Sequence, residues 1–301
     1  MIPIRAVVVF LIVLSQVFIF LYPKSQNQIT ETIKGATFQQ ESTVSATPQP
    51  NDNWQIASEI SAKSAVVIDN ATGIPLYEKN SKMRHLPAST TKLATALTAL
   101  ETCDLLQNVT VASLETTPNQ MGLAQGDTVT VQSLLYGLLI TSGNDAAYAL
   151  ADSCSSGINQ FVLQMNKLVK RLGMIDTHLT NPAGFDQSAN YTTAEDLAKL
   201  ARAAVANPLI AQIVATKSSV VTDARGIKPY YLENINKLLW EVNGIEGVKT
   251  GQTEGAQENL IAQTTRGGNT IITVVLGSED RFSDSKQLIE WTFQNYHWTS
   301  P

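Results

Sequence analysis

The sequence predicts an α+β fold, with one antiparallel sheet built from both ends of the globular region, flanked by terminal helices, and an all-helical lobe growing from the middle. Three observations predict it. Short β-prone runs, "AVVID" and "PLYEK", stand early, and "GIEGVKTG", "NLIAQTT" and "TIITVVLG" stand late, while the stretch from about 105 to 215 reads mostly as helices. With 301 residues and 44% hydrophobic positions, the chain can bury the core of one large domain or of two intimate lobes. A cleft between the lobes is where a site would form.

Taken in order, Ala6 to Tyr22 is an uncharged apolar run. At about 1.5 Å per residue it nearly crosses a bilayer core of about 30 Å. Residues 1–23 are therefore expected to be a membrane anchor or signal segment, and the absence of a small-x-small cleavage site before "PKSQNQ" favours an uncleaved anchor. Residues 24–53, rich in Gln, Ser, Thr and Pro, are expected to be a flexible linker. A globular domain is expected over 54–298, outside the cytoplasm, held to the cell membrane by its single N-terminal span. The formal charge of −5 and the lack of any Lys/Arg block exclude nucleic acid as a partner class.

Within the domain, "NATG" joins the first two β-prone runs as a hairpin turn. Pro87 and Ser89 suit the start of a helix running to about Glu101, and "VQSLLYGLLI", "DAAYALADSC", "INQFVLQMNKLVKRLG" and "TAEDLAKLARAAVA" carry helical spacing. "RGGN" marks a hairpin between the last two strands, and "DSKQLIEWTFQNY" closes the domain as an amphipathic helix. Cys103 and Cys154 are the two cysteines, each near a helix end. Two readings stay open for them, a disulfide in an oxidising compartment or a pair of small buried thiols.

Three short motifs carry chemistry. Ser89-x-x-Lys92 sits at a helix start among Leu, Ala and Pro, so the lysine reaches the serine hydroxyl along one helix face. A buried lysine beside another cation loses its charge more readily and can act as a base. The spacing alone is weak, because Ser283-Asp-Ser-Lys286 repeats it at the start of the final helix, where Ser283 reads as an ordinary N-cap. Ser142-Gly143-Asn144 interrupts two helical runs, so a hydroxyl and an amide can face one cleft; its bland reading is a helix-to-helix turn. Lys249-Thr250-Gly251 lies on the strand opening the C-terminal sheet, where a cation and a hydroxyl suit a carboxylate and the glycine permits close approach; its bland reading is a solvated strand lysine. His85, His178 and His297 lack metal-ligand spacing, no metal or other cofactor is expected, and no G-x-S-x-G elbow occurs.

In this order the three motifs resemble the signature of active-site-serine penicillin-binding proteins and β-lactamases, whose fold is β-lactamase/transpeptidase-like. Stretches such as "LPASTTKLATALTALE", "THLTNPAGFD", "INKLLW" and "GVKTGQTEGAQENLIA" narrow the likeness, over about 56 to 296, to the D-alanyl-D-alanine carboxypeptidases of bacterial cell walls. The resemblance implies that Ser89 is the acylated nucleophile and Lys92 its general base. It implies that Ser142 passes a proton to the leaving amine and that Asn144 orients substrate or Lys92. Lys249, Thr250 and Arg281 would hold the terminal carboxylate beside Gly251, and the backbone N–H groups of Ser89 and Gln252 would form the oxyanion hole. The implied substrate is the peptidoglycan stem peptide, with β-lactam antibiotics as covalent inhibitors. A DD-endopeptidase, a β-lactamase and a non-catalytic peptidoglycan-binding relative are the alternatives. Against the β-lactamase, Glu195 falls within a predicted helix, without the loop pattern that deacylation needs. Two departures stand out: Gln252 replaces a histidine or tyrosine common in the family, and the C-terminal β-rich domain of many members is not expected here, its anchoring role falling to the N-terminal run.

Overall fold

The computed structural model describes residues 46–112 and 118–299. The expected anchor at 1–23 and most of the expected linker lie outside the described residues. The end of that linker is corrected. Residues Thr47–Pro50 form strand β1, which pairs antiparallel with Tyr296–Thr299. Their polar composition suggested a spacer, but a Thr-Gln-Pro segment can serve as an edge strand when a partner supplies the hydrogen bonds.

Next come β2 (Ser64–Asp69) and β3 (Pro75–Lys79), the expected hairpin. A single 3₁₀ turn over Ala88–Thr91 leads directly into α1 (Lys92–Thr102). The helical lobe follows as α2 (Val131–Ile140), α3 (Asn144–Ser153), α4 (Ile158–Arg171), α5 (Ala194–Val205) and α6 (Pro208–Ala215). A small strand pair, β4 (Asn108–Thr110) with β5 (Thr128–Thr130), interrupts the region read as mostly helical. A second hairpin, β6 (Ser218–Thr222) with β7 (Pro229–Glu233), and the one-turn helix α7 (Leu238–Glu241) then lead to β8 (Ile245–Thr253), β9 (Gln257–Arg266) and β10 (Asn269–Ser278). The chain ends in α8 (Arg281–Asn295) and β11 (Tyr296–Thr299).

The main sheet has the order β3-β2-β10-β9-β8 and is antiparallel throughout, so both ends of the domain build it, as the sequence predicts. Strand β2 is buried at every position, because alternate residues serve two cores. Val66 and Ile68, with Val248, Ile261, Ile272 and Val274, face the helical lobe. Ala65 and Val67, with Leu260, Ala262 and Val275, face Leu288 and Ile289 of α8. Strand β8 is the sheet's edge, and its free side opens toward the helical lobe.

At the start of α8 the N-cap is Asp280, whose carboxylate accepts the N–H groups of Phe282 and Ser283. The Ser283 cap expected from the sequence is thereby corrected. Ser283 lies inside the first turn, and the charged acceptor three residues earlier closes it.

Cys103 and Cys154 form a disulfide, with Cα atoms 5.1 Å apart, which resolves the choice left open above. It ties the C-terminal end of α1 to that of α3. With a sequence separation of 51 between the cysteines, chain-entropy reasoning assigns the link about 4 kcal/mol. A Cys103→Ala/Cys154→Ala double variant is expected to shift the urea midpoint down by a corresponding amount; an unchanged midpoint would show that the link contributes nothing.

Candidate active site

The nucleophile position is made by a strained turn. Ala88 has φ +47°, in the left-handed region that non-glycine residues rarely occupy, and it precedes Ser89 in the 3₁₀ turn. Neighbours hold this turn in place. Asn259 donates from Nδ2 to the carbonyls of Leu86 and Pro87, and Thr90 Oγ1 donates to Pro87 O at 2.7 Å. Gly251 of β8 lies so close that a Cβ there would stand 3.1 Å from both Ser89 N and Ala88 Cβ. A side chain there would press on the turn that carries the serine, so glycine lets the strand lie alongside it.

Lys92, the first residue of α1, is completely buried. Its Nζ lies 2.8 Å from Ser89 Oγ, 2.7 Å from Asn144 Oδ1 and 2.9 Å from the Ala183 carbonyl. Two of these partners can only accept, so they fix two N–H groups of a neutral amine and turn its lone pair toward the Ser89 hydroxyl. The Asn144 amide is itself oriented, because its Nδ2 donates to Pro118 O at 2.6 Å. Asn144 thus contacts Lys92, one of the two partners expected for it. The Ala183 carbonyl is aimed by Asn181, whose Oδ1 accepts the N–H groups of Ala183, Gly184 and Phe185.

Electrostatics agree with a neutral amine. Burial pushes Lys92 well below the ordinary lysine range, the Lys249 ammonium pushes it further, and the Asp145 carboxylate opposes both. Lys249 on β8 is also buried, and burial together with the Arg281 guanidinium lowers it to about 7. Its Nζ donates to Ser142 Oγ at 2.9 Å and to Thr250 O at 3.0 Å. Ser142 sits between α2 and α3 with φ +60° and no solvent exposure, a second strained residue at the same centre. Ser89, Lys92 and Asn144 thus form one hydrogen-bonded set and Ser142 with Lys249 a second, the two drawn from three separate parts of the chain.

A cleft of about 720 Å³ opens over this group, and Ser89, Ser142, Thr250, Gly251, Gln252 and Arg281 all line it. Thr250, on the edge strand β8, lines the cleft together with Gly251. Thr250 Oγ1 is buried and makes no hydrogen bond among the described residues. Arg281 Nε is also buried and without a hydrogen bond, with Glu258 4.0 Å away. The Arg281 Nη1 donates to Gly251 O at 3.1 Å and to Gln252 Oε1 at 3.3 Å, so the Gln252 side chain has a contact beyond the backbone role expected for it.

The decoys separate cleanly. Glu195 stands in the first turn of α5, 3.0 Å from Lys199 Nζ, and does not line the cleft. His85 pairs with Ser64 Oγ, His178 with Ala189 O and His297 with Asn51 Oδ1. Sequence reading missed three contributors: the Ala183 carbonyl, Asn119 with φ +58° on the cleft wall, and the wall formed by Glu233 to Glu241. A backbone acceptor leaves no mark on residue type, although "NPAGF", a turn-rich stretch between helices, was a usable signal.

Comparison with known proteins fits this geometry. Residues 46–280 match the family described as Peptidase S11, D-alanyl-D-alanine carboxypeptidase. The chain is 34% identical to D-alanyl-D-alanine carboxypeptidase DacF of Bacillus subtilis, over 78% of this chain and 63% of that protein's length. It is 36% identical to a D-alanyl-D-alanine carboxypeptidase of Streptomyces sp. strain K15, over 78% of this chain and 88% of that one. The crystal structure of the Streptomyces K15 DD-transpeptidase superposes with a TM-score of 0.75 at 34% identity, covering 80% of this chain and all of that one.

Proposed function

Since this chain belongs to the D-alanyl-D-alanine carboxypeptidase family, Peptidase S11, we propose that it removes the terminal D-alanine from peptidoglycan stem pentapeptides through an acyl-serine intermediate, and that β-lactams trap the same serine. The observation that carries this reading is the pairing of two features in one cleft. Ser89 stands 2.8 Å from a lysine that burial drives toward neutrality, and the opposite side presents Thr250 Oγ1, a buried polar atom without a hydrogen-bond partner, with the Arg281 side chain also on the cleft wall. An anionic peptide end satisfies that orphan and meets the guanidinium charge.

In the proposed cycle the Ser89 oxygen attacks the penultimate D-Ala carbonyl while Lys92 Nζ takes its proton. The carbonyl oxygen, now anionic, is held by the backbone N–H groups of Ser89 and Gln252. Ser142, hydrogen-bonded to Lys249, relays that proton from Lys92 to the departing amine, and D-alanine leaves. Water then cleaves the ester, with the neutral Lys92 taking the water's proton and returning it to the Ser89 oxygen. Lys249, Thr250 and Arg281 hold the carboxylate throughout.

Peptides ending in D-Ala-D-Ala test the carboxylate receptor directly. Blocking the terminal carboxylate as an amide is expected to reduce kcat/KM for amino-acid release by about 10²-fold or more, since the receptor's polar groups are then left unmatched. Equal turnover of acid and amide would refute the assignment.

A second reading, transfer of the acyl group to a peptide amine or cleavage of such a cross-link, has a specific support. Ile235 N bonds the Ile140 carbonyl, two residues before Ser142, so the wall of Ile235, Trp240 and Glu241 continues the cleft on the leaving-group side. For location, the disulfide and the apolar run at Ala6 to Tyr22 both support a domain outside the cytoplasm, tethered to the cell membrane.

A further inference from the structure

Asp145 is a buried carboxylate in the first turn of α3, next to Asn144, and the proposed mechanism gives it no task. Its oxygens accept three consecutive backbone N–H groups, Met121 at 2.9 Å and Gly122 and Leu123 each at 3.1 Å, besides Ala146 N. These donors belong to the strand-free stretch 118–123. The same stretch supplies Pro118 O to the Asn144 side chain and Asn119 O to the Asn144 backbone N–H. Gly143 makes this fit possible, because a Cβ there would stand 2.8 Å from Asp145 Oδ1 and 3.2 Å from Met121 N.

We propose that Asp145 is a positioning residue for the acylation step, deepening the reading given above. It pins residues 118–123, these orient the Asn144 amide, and Asn144 Oδ1 aims the Lys92 amine at Ser89. It also places a negative charge near that amine. The charged groups that face Lys92 are Lys249 from β8, which pushes it down, and Asp145 from α3, which pushes it up. Arg281 acts on Lys249 in turn, and Tyr230 of β7 feels Asp145. Asp145 therefore tunes the base as well as aiming it. Burial disfavours the protonated amine, and the carboxylate opposes that.

The test measures acylation by a fluorescent penicillin on the full-length protein across about pH 5 to pH 9. In Asp145→Asn the rate is expected to fall about ten- to hundredfold. The acidic limb of the profile is expected to move to lower pH, because the amine loses the charge that favours its proton. A purely structural role would lower the rate without moving the limb, and that result overturns the proposal, as does a wild-type rate. Should Asp145→Asn fail to fold in a thermal melt, Asp145→Glu decides. Keeping the charge while displacing the acceptor should lower the rate with the limb in place; a wild-type rate or a moved limb overturns it. The closing control separates this proposal from the family reading: wild-type protein that took no penicillin would refute the mechanism itself, whatever the variant did.

Discussion

Ser89→Ala is expected to reduce D-alanine release to background and to abolish covalent labelling by penicillin, with the fold unchanged. Lys92→Met is its more informative partner. It keeps the hydroxyl and the helix start but removes the amine that lies 2.8 Å from Ser89 Oγ. Proton acceptance by a positioned base contributes about 10²–10⁴-fold, so acylation by penicillin is expected to fall into that range rather than to zero. Lys92 is wholly buried, and methionine fills similar space without a charge, so the variant should fold. Mass spectrometry of the penicilloyl-protein locates the label in wild type and in Lys92→Met after long exposure. A label on any residue other than Ser89, or labelling of Ser89→Ala, would defeat the assignment. A Lys92→Met protein acylated at the wild-type rate would instead move the base elsewhere.

The motif residues could be read from the chain because each sits at a junction with a local signature. Ser89 and Lys92 open a helix among apolar neighbours, Ser142 and Asn144 break two helical runs, and Lys249 to Gly251 lie on a β-prone run. Their mutual contacts were not legible. That the lone pair of Lys92 points at Ser89 depends on the Ala183 carbonyl, aimed by Asn181, and on Pro118, which turns the Asn144 amide. Such acceptors are backbone atoms brought in from distant loops, and residue type says little about where a carbonyl points. The fold followed the same division. Short β-prone runs bounded by turn residues marked β2, β3, β9 and β10, whereas β1 escaped notice because an edge strand made of Thr, Gln and Pro gains its order from its partner, β11. The β6–β7 hairpin was missed for a related reason: its exposed face carries Val220 and Tyr231, so apolar residues there do not report the core.

Lys249→Met joins a loss of function to a gain in stability. Lys249 is buried and lowered to about 7 from 10.5. Over that interval the unfolded chain binds more protons than the folded one, so stability rises with pH from about 7 to about 10.5, and the full penalty applies below pH 7. A shift of this size corresponds to at most about 5 kcal/mol, from which the two lost hydrogen bonds, about 1 kcal/mol each, must be subtracted. Net stabilisation of a few kcal/mol is expected at pH 6, shrinking toward zero or reversing above about pH 10. Removing the neighbouring charge also lifts Lys92 back toward its ordinary range, which works against its role as a base, while Ser142 loses its donor and the carboxylate loses a cation. Acylation should therefore fall about 10²–10³-fold in a protein that melts higher. Urea midpoints at the two pH values, read beside penicillin acylation rates, separate the terms. Equal destabilisation at both would mean that the lysine's burial is matched by its contacts, and that this centre stores no strain for catalysis to use.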